Sequence, residues 1–326
     1  MTESKKVLLS GMKPTGRPHI GNYFGAMKQF VDLQGQYSPY YIMVADYHAL
    51  NFIQDASEMR SLSHEMVLDF LAIGLDPEKV ILFKQSDVPE HTELCWIFDT
   101  ITTMPYLMRS HAYKDAEAKD KEISVGTFNY PMLMAADILL YDANCVPVGQ
   151  DQKQHVEYAR DTAQKFNRIF NEIFTLPEAL IMKDVAIVPG IDGRKMSKSY
   201  KNDIKLFSSD EEIRKQVMSI VTDSKGKGEV LDPETDNIFA LHKLFTGPDQ
   251  LRHLSSEYRA GEIGYKESKE LLAENIIKFI SPMRAKREEL AKDSGLTGKV
   301  LKAGGDKARV KASETIAKVR KLIGVV

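Results

Sequence analysis

The stretch "VLLSGMKPTGRPHIGNYFGA", residues 7–26, reads as a buried strand, a glycine-rich turn and the start of a helix. Residues 7–11 are nearly all apolar, which is typical of a strand in a parallel sheet covered on both faces. The glycines that let a backbone approach a flat or phosphorylated ligand closely stand at positions 11, 16, 21 and 25. The helix opens at "HIGN", residues 19–22, where imidazole and amide donors join the free N–H groups of a helix terminus. These features predict an anion-binding turn after the first strand.

Three further apolar runs extend this pattern outward: "YYIMVAD" at residues 40–46, "KVILFKQS" at residues 79–86 and "NCVPVG" at residues 144–149. Helical patterns separate them, including residues 22–34 and a segment from a Ser57 cap to a Gly74 stop. A further helix is expected to open at Asp151. The alternation predicts an α/β fold with a doubly wound, Rossmann-like parallel sheet and a ligand at the carboxyl ends of its strands.

The strand signal fades in the second half of the chain. Helical patterns cover residues 208–224, 237–245, 265–292 and 306–324. We therefore predict two domains, a Rossmann-like domain at residues 1–187 and a smaller all-helical domain at residues 188–326. The last helix is expected to return to the first domain.

Composition excludes several classes of protein. The chain has 326 residues, of which 43% are hydrophobic, so it is large enough for a proper core. It has no run of eighteen apolar residues and no secretory signal, and we expect a cytoplasmic protein without a membrane partner. Cys95 and Cys145 are the only cysteines and form no CxxC motif, so we expect neither a disulfide framework nor a structural metal.

The charge is distributed unevenly along the chain. Formal net charge is −2, but residues 283–326 hold twelve Lys or Arg against five Asp or Glu. A basic tail on an acidic body is typical of a polyanion-binding surface, and a solvated lysine-rich helix face explains it equally well.

A second polar segment, "DGRKMSKSYKN" at residues 192–202, places Lys195 and Lys198 in a stretch without apolar periodicity. Such an exposed, flexible loop makes sense if it folds over the anion held at residues 19–22 and meets charge that develops during a reaction.

The pair "HIGN" and "KMSKS" resembles the HIGH and KMSKS signatures of class I aminoacyl-tRNA synthetases. The second signature is complete at residues 195–199, whereas Asn22 replaces the final histidine of the first, a departure familiar in the tryptophanyl and tyrosyl branch. The segments "GNYFGA", "MAADILLY", "VPVGQDQKQHVEYARD" and "VTDS" extend the likeness over most of the chain. The chain is thus similar to the bacterial-type tryptophanyl-tRNA synthetases.

That resemblance implies a ligase that activates L-tryptophan with ATP and Mg²⁺ to tryptophanyl-adenylate and transfers the amino acid to tRNA(Trp). His19, Lys195 and Lys198 would be the catalytic residues. The residues that would bind ATP are Lys13, Pro14, Thr15, Gly21, Asn22, Gly149, Gln150, Asp151, Ile187, Lys195, Met196, Ser197, Lys198 and Ser199. Lys13 stands where glutamine is usual, and we expect it to add positive charge near the substrate carboxylate or α-phosphate.

The tryptophan pocket implied by the resemblance lies on and around the helix "YPMLMAADILLY", with Pro131 expected in its first turn. Asp137 would accept from the indole N–H, Tyr130 and Gln152 would bind the ammonium group, and Met134, Val146, Val148 and His48 would line the pocket. A core-facing stripe with Asp137 turned to solvent is the alternative, and His48 alone is equally well explained as a structural histidine. Met134 favours tryptophan, since a thioether packs against a large ring but offers a phenol little.

Three other functions compete with this one. A tyrosyl-tRNA synthetase is the nearest, followed by a non-catalytic paralogue that senses tryptophan or binds RNA, and by an unrelated nucleotidylyltransferase. Intact signatures argue against the paralogue, and the helical second half argues against the transferase. The resemblance also implies that the second domain binds the tRNA anticodon and that the protein is a homodimer.

Overall fold

A computed structural model describes residues 6–118, 122–149, 153–181 and 188–326. Its centre is a five-stranded parallel sheet in the order β3-β2-β1-β4-β5. The strands are β1 (Leu8–Met12), β2 (Tyr40–Val44), β3 (Ile81–Lys84), β4 (Cys145–Val148) and β5 (Glu178–Ile181). Every residue of β2 is buried, as expected for a strand covered on both faces. The predicted doubly wound fold is confirmed.

Helices cover the sheet and form the second half of the chain. In the first half they are α1 (Ile20–Asn22), α2 (Lys28–Asp32), α3 (Asp46–Ala49), α4 (Ala56–Ala72), α5 (Glu90–Ile101), α6 (Met104–Leu107), α7 (His111–Ala118), α8 (Val125–Leu139) and α9 (Lys153–Ile169). A π-helical segment, Tyr23–Met27, joins α1 to α2. The others are α10 (Asp210–Met218), α11 (Asn237–Phe245), α12 (Pro248–Ala260), α13 (Tyr265–Leu290) and α14 (Leu296–Ile323).

Two local predictions are wrong, and one strand was not predicted. Asp55, not Ser57, caps α4, because its carboxylate accepts from the N–H groups of Ser57 and Glu58. Pro131 lies inside α8 rather than in its first turn, since the helix begins at Val125 after a Ser124 cap. The strand β5 was missed, because it is a short edge strand and none of its residues is fully buried.

The last helix begins ten residues earlier than its sequence pattern indicated, at Leu296 rather than at residue 306. Gly304 and Gly305 lie inside this helix, and two adjacent glycines are a pattern that usually indicates a helix end. A Cβ at Gly304 would lie only 1.8 Å from the carbonyl oxygen of Leu82, so glycine is what lets α14 pack directly on β3. The final helix therefore packs on the first-half sheet. The boundary at residues 187/188 stays a prediction, because residues 182–187 are outside the described part.

A buried ion network connects the helical second half to the loop after β1. Asp69 on α4 is 1% exposed and accepts from Nε of Arg287 on α13 at 2.5 Å. Arg287 also pairs with Glu65, whose carboxylate lies 2.9 Å from Arg17 Nη1. Because these charges are mostly withdrawn from water, each needs its partners.

No described helix has the length and the apolar composition that crossing a bilayer requires. Both cysteines are free thiols.

Candidate active site

His19 caps the helix that follows the first turn, residues 13–18. Its Nδ1 accepts a hydrogen bond from the backbone N–H of Asn22 (3.2 Å), whose side-chain oxygen accepts from the backbone N–H of His19 (3.1 Å). Burial lowers the pKa of His19 to about 4, so the ring is neutral near pH 7. Because Nδ1 acts as the acceptor, the proton is on Nε2, and this N–H can donate to a ligand.

The first turn keeps its backbone close to its neighbours. At Gly11 a Cβ would lie 2.5 Å from the carbonyl oxygen of Met43 on the adjacent strand, so glycine is required there. Pro14 is buried and Thr15 is half-buried. Lys13 is exposed, with Nζ 4.7 Å from the ring centre of Phe52. Its ammonium group follows the carboxyl end of β1, and desolvation lowers the pKa of Lys13.

Residues 192–202 reach back across the chain to this turn. Nζ of Lys198 donates to the carbonyl oxygen of Gly16 at 2.7 Å and lies 3.4 Å from that of Thr15. Ser197 caps the short 3-10 turn Lys198–Tyr200 by accepting from the N–H of Ser199. Lys195 and Ser199 are exposed. The structure thus brings Lys198 to the turn beside His19 and leaves the ammonium group of Lys195 in solvent.

The expectation of an exposed loop is wrong for part of this segment. Met196 is 4% exposed and packs in the core that also contains Ile20. Asn202 is 1% exposed, and its side chain accepts from the N–H of Ser197 (2.8 Å) and donates to Asp192 (2.6 Å) and the Lys195 carbonyl (3.2 Å). Sequence reasoning missed Asn202, because an amide after a signature gives little signal of burial.

Backbone hydrogen bonds join the first signature segment to the residues that follow the second one. The N–H of Ile20 donates to the carbonyl of Ile204, and the N–H of Leu206 donates to the carbonyl of Pro18, both at 2.9 Å. A Cβ at Gly21 would lie 2.9 Å from His19 Nδ1 and 3.3 Å from the Met196 Cβ, so the helix start and the loop meet at a glycine.

A second constellation surrounds Asp137 on α8. Asp137 is 2% exposed, so the alternative in which it faces solvent is wrong. Its Oδ2 lies 2.8 Å from His48 Nε2, and its Oδ1 accepts from Gln85 Nε2 at 2.7 Å and lies 2.6 Å from His91 Nδ1. Burial acts to raise the pKa of Asp137, but the imidazoles of His48 and His91 beside it lower the pKa to about 2. Asp137 is therefore an ionised, buried acceptor.

Gln85 and His91 were missed at the sequence level. Gln85 directly follows β3, and a polar side chain at the carboxyl end of a parallel strand is a signal that could have found it. His91 lies in the first turn of α5, in a segment with no catalytic spacing. Its position beside Asp137 depends on how α5 packs on α8, which the sequence pattern does not specify.

The other predicted pocket residues lie on α8 and on or next to β4, and their role stays a prediction. The ring centres of His48 and Tyr130 are 6.4 Å apart, and the Tyr130 hydroxyl is hydrogen-bonded to His155 Nε2. Val146 is buried, while Met134 and Val148 are half-buried against the same core cluster. Gly149 directly follows β4 and is half-buried. The predicted residues that fall outside the described part are Gln150, Asp151, Gln152 and Ile187, and the predicted helix start at Asp151 falls there too.

This fold, with its two joined signature segments, defines a class of protein. Residues 1–281 match the family model of tRNA synthetases class I (W and Y). The chain belongs to this family, and the predicted membership is confirmed.

The relatives narrow the family further. The tryptophan–tRNA ligase of Fusobacterium nucleatum is 49% identical over 319 residues, which cover 98% of this chain and 98% of that protein. The tryptophan–tRNA ligase of Rhodopirellula baltica is 46% identical over 98% of this chain and 99% of its own length. A crystal structure of tryptophanyl-tRNA synthetase from Campylobacter jejuni, complexed with ADP and tryptophan, superposes with a TM-score of 0.91 at 45% identity, covering 98% of this chain and 99% of that one.

Proposed function

We propose that this chain is a tryptophan–tRNA ligase. It activates L-tryptophan with ATP to tryptophanyl-adenylate and pyrophosphate, and then transfers the tryptophanyl group to a ribose hydroxyl of tRNA(Trp). The observation that carries the proposal is the contact of Lys198 with the Gly16 carbonyl, which places a cation from residue 198 over the first turn. The full-length relatives named as tryptophan–tRNA ligases support the same activity.

In the first step the tryptophan carboxylate attacks the α-phosphorus of ATP, and pyrophosphate leaves. The enzyme needs no side-chain nucleophile for this reaction. Catalysis comes from holding two reactants in line and from stabilising the charge that develops on the phosphates. His19 Nε2 donates to the phosphate chain, while Lys195 and Lys198 close over it together with the Mg²⁺ that accompanies ATP. Lys13, Pro14, Thr15, Gly21 and Asn22 form the floor of that site.

The amino acid lies against α8 with its indole N–H directed to Asp137. Oδ2 of Asp137 has one described hydrogen-bond partner, His48, so among the described residues it retains capacity for a second donor. Phenylalanine would leave that capacity unused in a buried site, and such mismatches reach about 10⁴-fold discrimination. This argument and Met134 favour tryptophan over tyrosine.

The remaining partners are tRNA(Trp) and a second copy of the chain. The place of action is the cytoplasm. The basic residues of 283–326 supply positive charge for the polyanionic tRNA. Apolar side chains on α5, α6 and α8 are exposed in the single chain, which supports a homodimer: Trp96 at 70%, Met104 at 67%, Met108 at 42% and Val125 at 81%.

The test is ATP–pyrophosphate exchange measured with tryptophan, with tyrosine and with no amino acid. We expect exchange with tryptophan only. Lys195→Ala and Lys198→Ala should each slow exchange roughly a hundredfold, or about 3 kcal/mol of barrier, with little change in tryptophan affinity. Lys215→Ala removes an exposed lysine outside the loop and serves as the control. Equal losses of rate and of tryptophan affinity would contradict the role given to the lysines.

A further inference from the structure

The buried carboxylate of Asp137 depends on His91, a residue that contacts neither the first turn nor the lysine loop in the described hydrogen bonds. His91 is fully buried, with its Nδ1 2.6 Å from Asp137 Oδ1. Its other nitrogen, Nε2, lies 2.8 Å from the hydroxyl of Tyr141. The imidazole also stacks on Phe83, with ring planes 22° apart. His91 is therefore fixed on three sides and bridges Tyr141 to Asp137.

The Tyr141 hydroxyl bears on which nitrogen of His91 carries the proton. Burial raises the pKa of this hydroxyl well above its usual value, so it stays protonated and is available to donate to His91 Nε2. A neutral imidazole that accepts at Nε2 carries its proton on Nδ1. Nδ1 lies 2.6 Å from Asp137 Oδ1, a close polar contact whose angle falls outside hydrogen-bond geometry. With the Tyr141 hydroxyl as donor to Nε2, His91 presents its N–H side to the carboxylate of Asp137.

The last helix, α14, contacts the residues on either side of this pair. Glu90, which precedes His91, is 7% exposed and accepts from Ser313 Oγ at 2.8 Å and Arg309 Nε at 3.2 Å. Asp142, which follows Tyr141, pairs with Lys311. These contacts come from three residues within one and a half turns of α14.

A further contact extends this attachment along α5. Arg320 forms a two-bond pair with Glu93, at 2.7 and 2.5 Å. Bidentate pairs fix geometry better than single contacts do. The amino-terminal turn of α5, which carries His91, is therefore held by α14 at two positions.

We propose that His91 is a positioning residue for amino-acid selection and that α14 sets its place. The inference rests on the proposed function, in which Asp137 accepts from the indole N–H of tryptophan. Through Glu90 and Asp142, α14 fixes the His91–Tyr141 pair, and His91 in turn orients the carboxylate toward the substrate. The carboxyl-terminal helix thereby takes part in substrate selection without touching the substrate.

Two substitutions at His91 test the first link. His91→Leu removes the hydrogen bond to Tyr141 and the polar contact with Asp137, whereas His91→Asn keeps a donor near the place of Nδ1. A hydrogen bond to a charged group contributes about 1.5–3 kcal/mol. We therefore expect His91→Leu to raise the KM for tryptophan roughly tenfold to a hundredfold and to lower the tryptophan-to-phenylalanine ratio of kcat/KM in pyrophosphate exchange by a similar factor. His91→Asn should recover most of both.

The ratio of the two kcat/KM values does not depend on how much of a variant is folded, because both substrates are measured on the same preparation. Loss of stability alone therefore cannot imitate the expected result. Equal ratios for the leucine variant, the asparagine variant and the unaltered protein would overturn the role of His91. If the unaltered protein fails to exchange with tryptophan at all, the proposed function fails instead.

A double variant tests the second link. Arg309→Met with Ser313→Ala removes the described donors to Glu90, and we expect it to lower the selectivity ratio threefold to tenfold. Lys302→Ala with Asp306→Ala is the control, because it removes an exposed ion pair between two residues of the same helix and leaves the donors to Glu90 in place. A ratio that stays unchanged in the first double variant, or falls equally in the control, would overturn the role of α14.

Discussion

His242 lies in the helical second half with both ring nitrogens in buried hydrogen bonds. Nε2 donates to the carbonyl oxygen of Ser268 (3.1 Å), so Nδ1 accepts from the Thr246 hydroxyl (2.8 Å). Burial lowers the pKa of His242 to about 4, below its usual value of 6.5. The neutral ring is satisfied where it lies, whereas a protonated ring would have a second N–H facing a group that already donates. A single histidine therefore makes the stability of the fold depend on pH.

As pH falls below 6.5, the unfolded chain binds a proton at His242 before the folded chain does. Its contribution to the free energy of unfolding is fully present above pH 6.5 and is lost as pH falls toward 4, by up to roughly 3 kcal/mol. We expect His242→Gln to unfold at lower urea concentration than the unaltered protein at pH 7, and the difference to shrink by pH 4.5.

The control for this prediction is His253→Gln, because the side chain of His253 is 76% exposed. Urea unfolding of the three proteins is compared between pH 7 and pH 4.5. The free energies of unfolding of His242→Gln and the unaltered protein could instead differ by the same amount at both pH values. That result would show that the ring does not titrate as described.

At the scale of elements, the contact of α14 with β3 depends on one missing side chain. Gly304→Ala would place a methyl group 1.8 Å from the Leu82 carbonyl oxygen, which forces the helix away from the strand. Overpacking of this kind costs about 3 kcal/mol of unfolding free energy. We also expect the tryptophan selectivity ratio to fall, because α14 carries the residues that hold Glu90. Urea unfolding and the exchange assay measure the two effects.

Gly298→Ala provides a matched control on the same helix, since a Cβ there meets nothing within 4 Å. Alanine is the better helix former, so this variant should gain up to about 1 kcal/mol. The two glycine substitutions are thus predicted to have opposite signs. If both substitutions destabilise the protein by similar amounts, the close contact of α14 with β3 is not the reason that glycine is required at position 304.

At the scale of the whole molecule, the exposed apolar side chains on α5, α6 and α8 argue for association of two chains. Trp96 is 70% exposed, and a large aromatic ring is a frequent anchor of interfaces. We expect Trp96→Glu to convert a dimer to a monomer in sedimentation velocity, because burying an unpaired carboxylate opposes association. Val230→Glu, at a 59% exposed site in the helical half, should leave the sedimentation coefficient unchanged. If the unaltered protein already sediments as a monomer, the proposed dimer is excluded.

Much of the fold was predictable because its signals are local. Continuous apolar runs indicated four of the five strands, and glycines around "HIGN" indicated the turn after β1. The strand β5 and the start of α14 were not predictable in this way. The strand β5 is a short edge strand without a fully buried residue. The first part of α14 contains Gly304 and Gly305, and Gly304 is needed because the helix passes so close to β3.

The sequence by itself determined the family, the parallel sheet and the two signature segments, since these follow from residue types at short spacing. Only the tertiary structure decided that Asp137 is buried and that Gln85 and His91 hold it. It also decided that Asn202 supports the lysine loop and that α14 fixes α5. The physical reason is that a buried charge obtains its donors from whichever elements pack around it, and those partners come from parts of the chain that no local pattern connects.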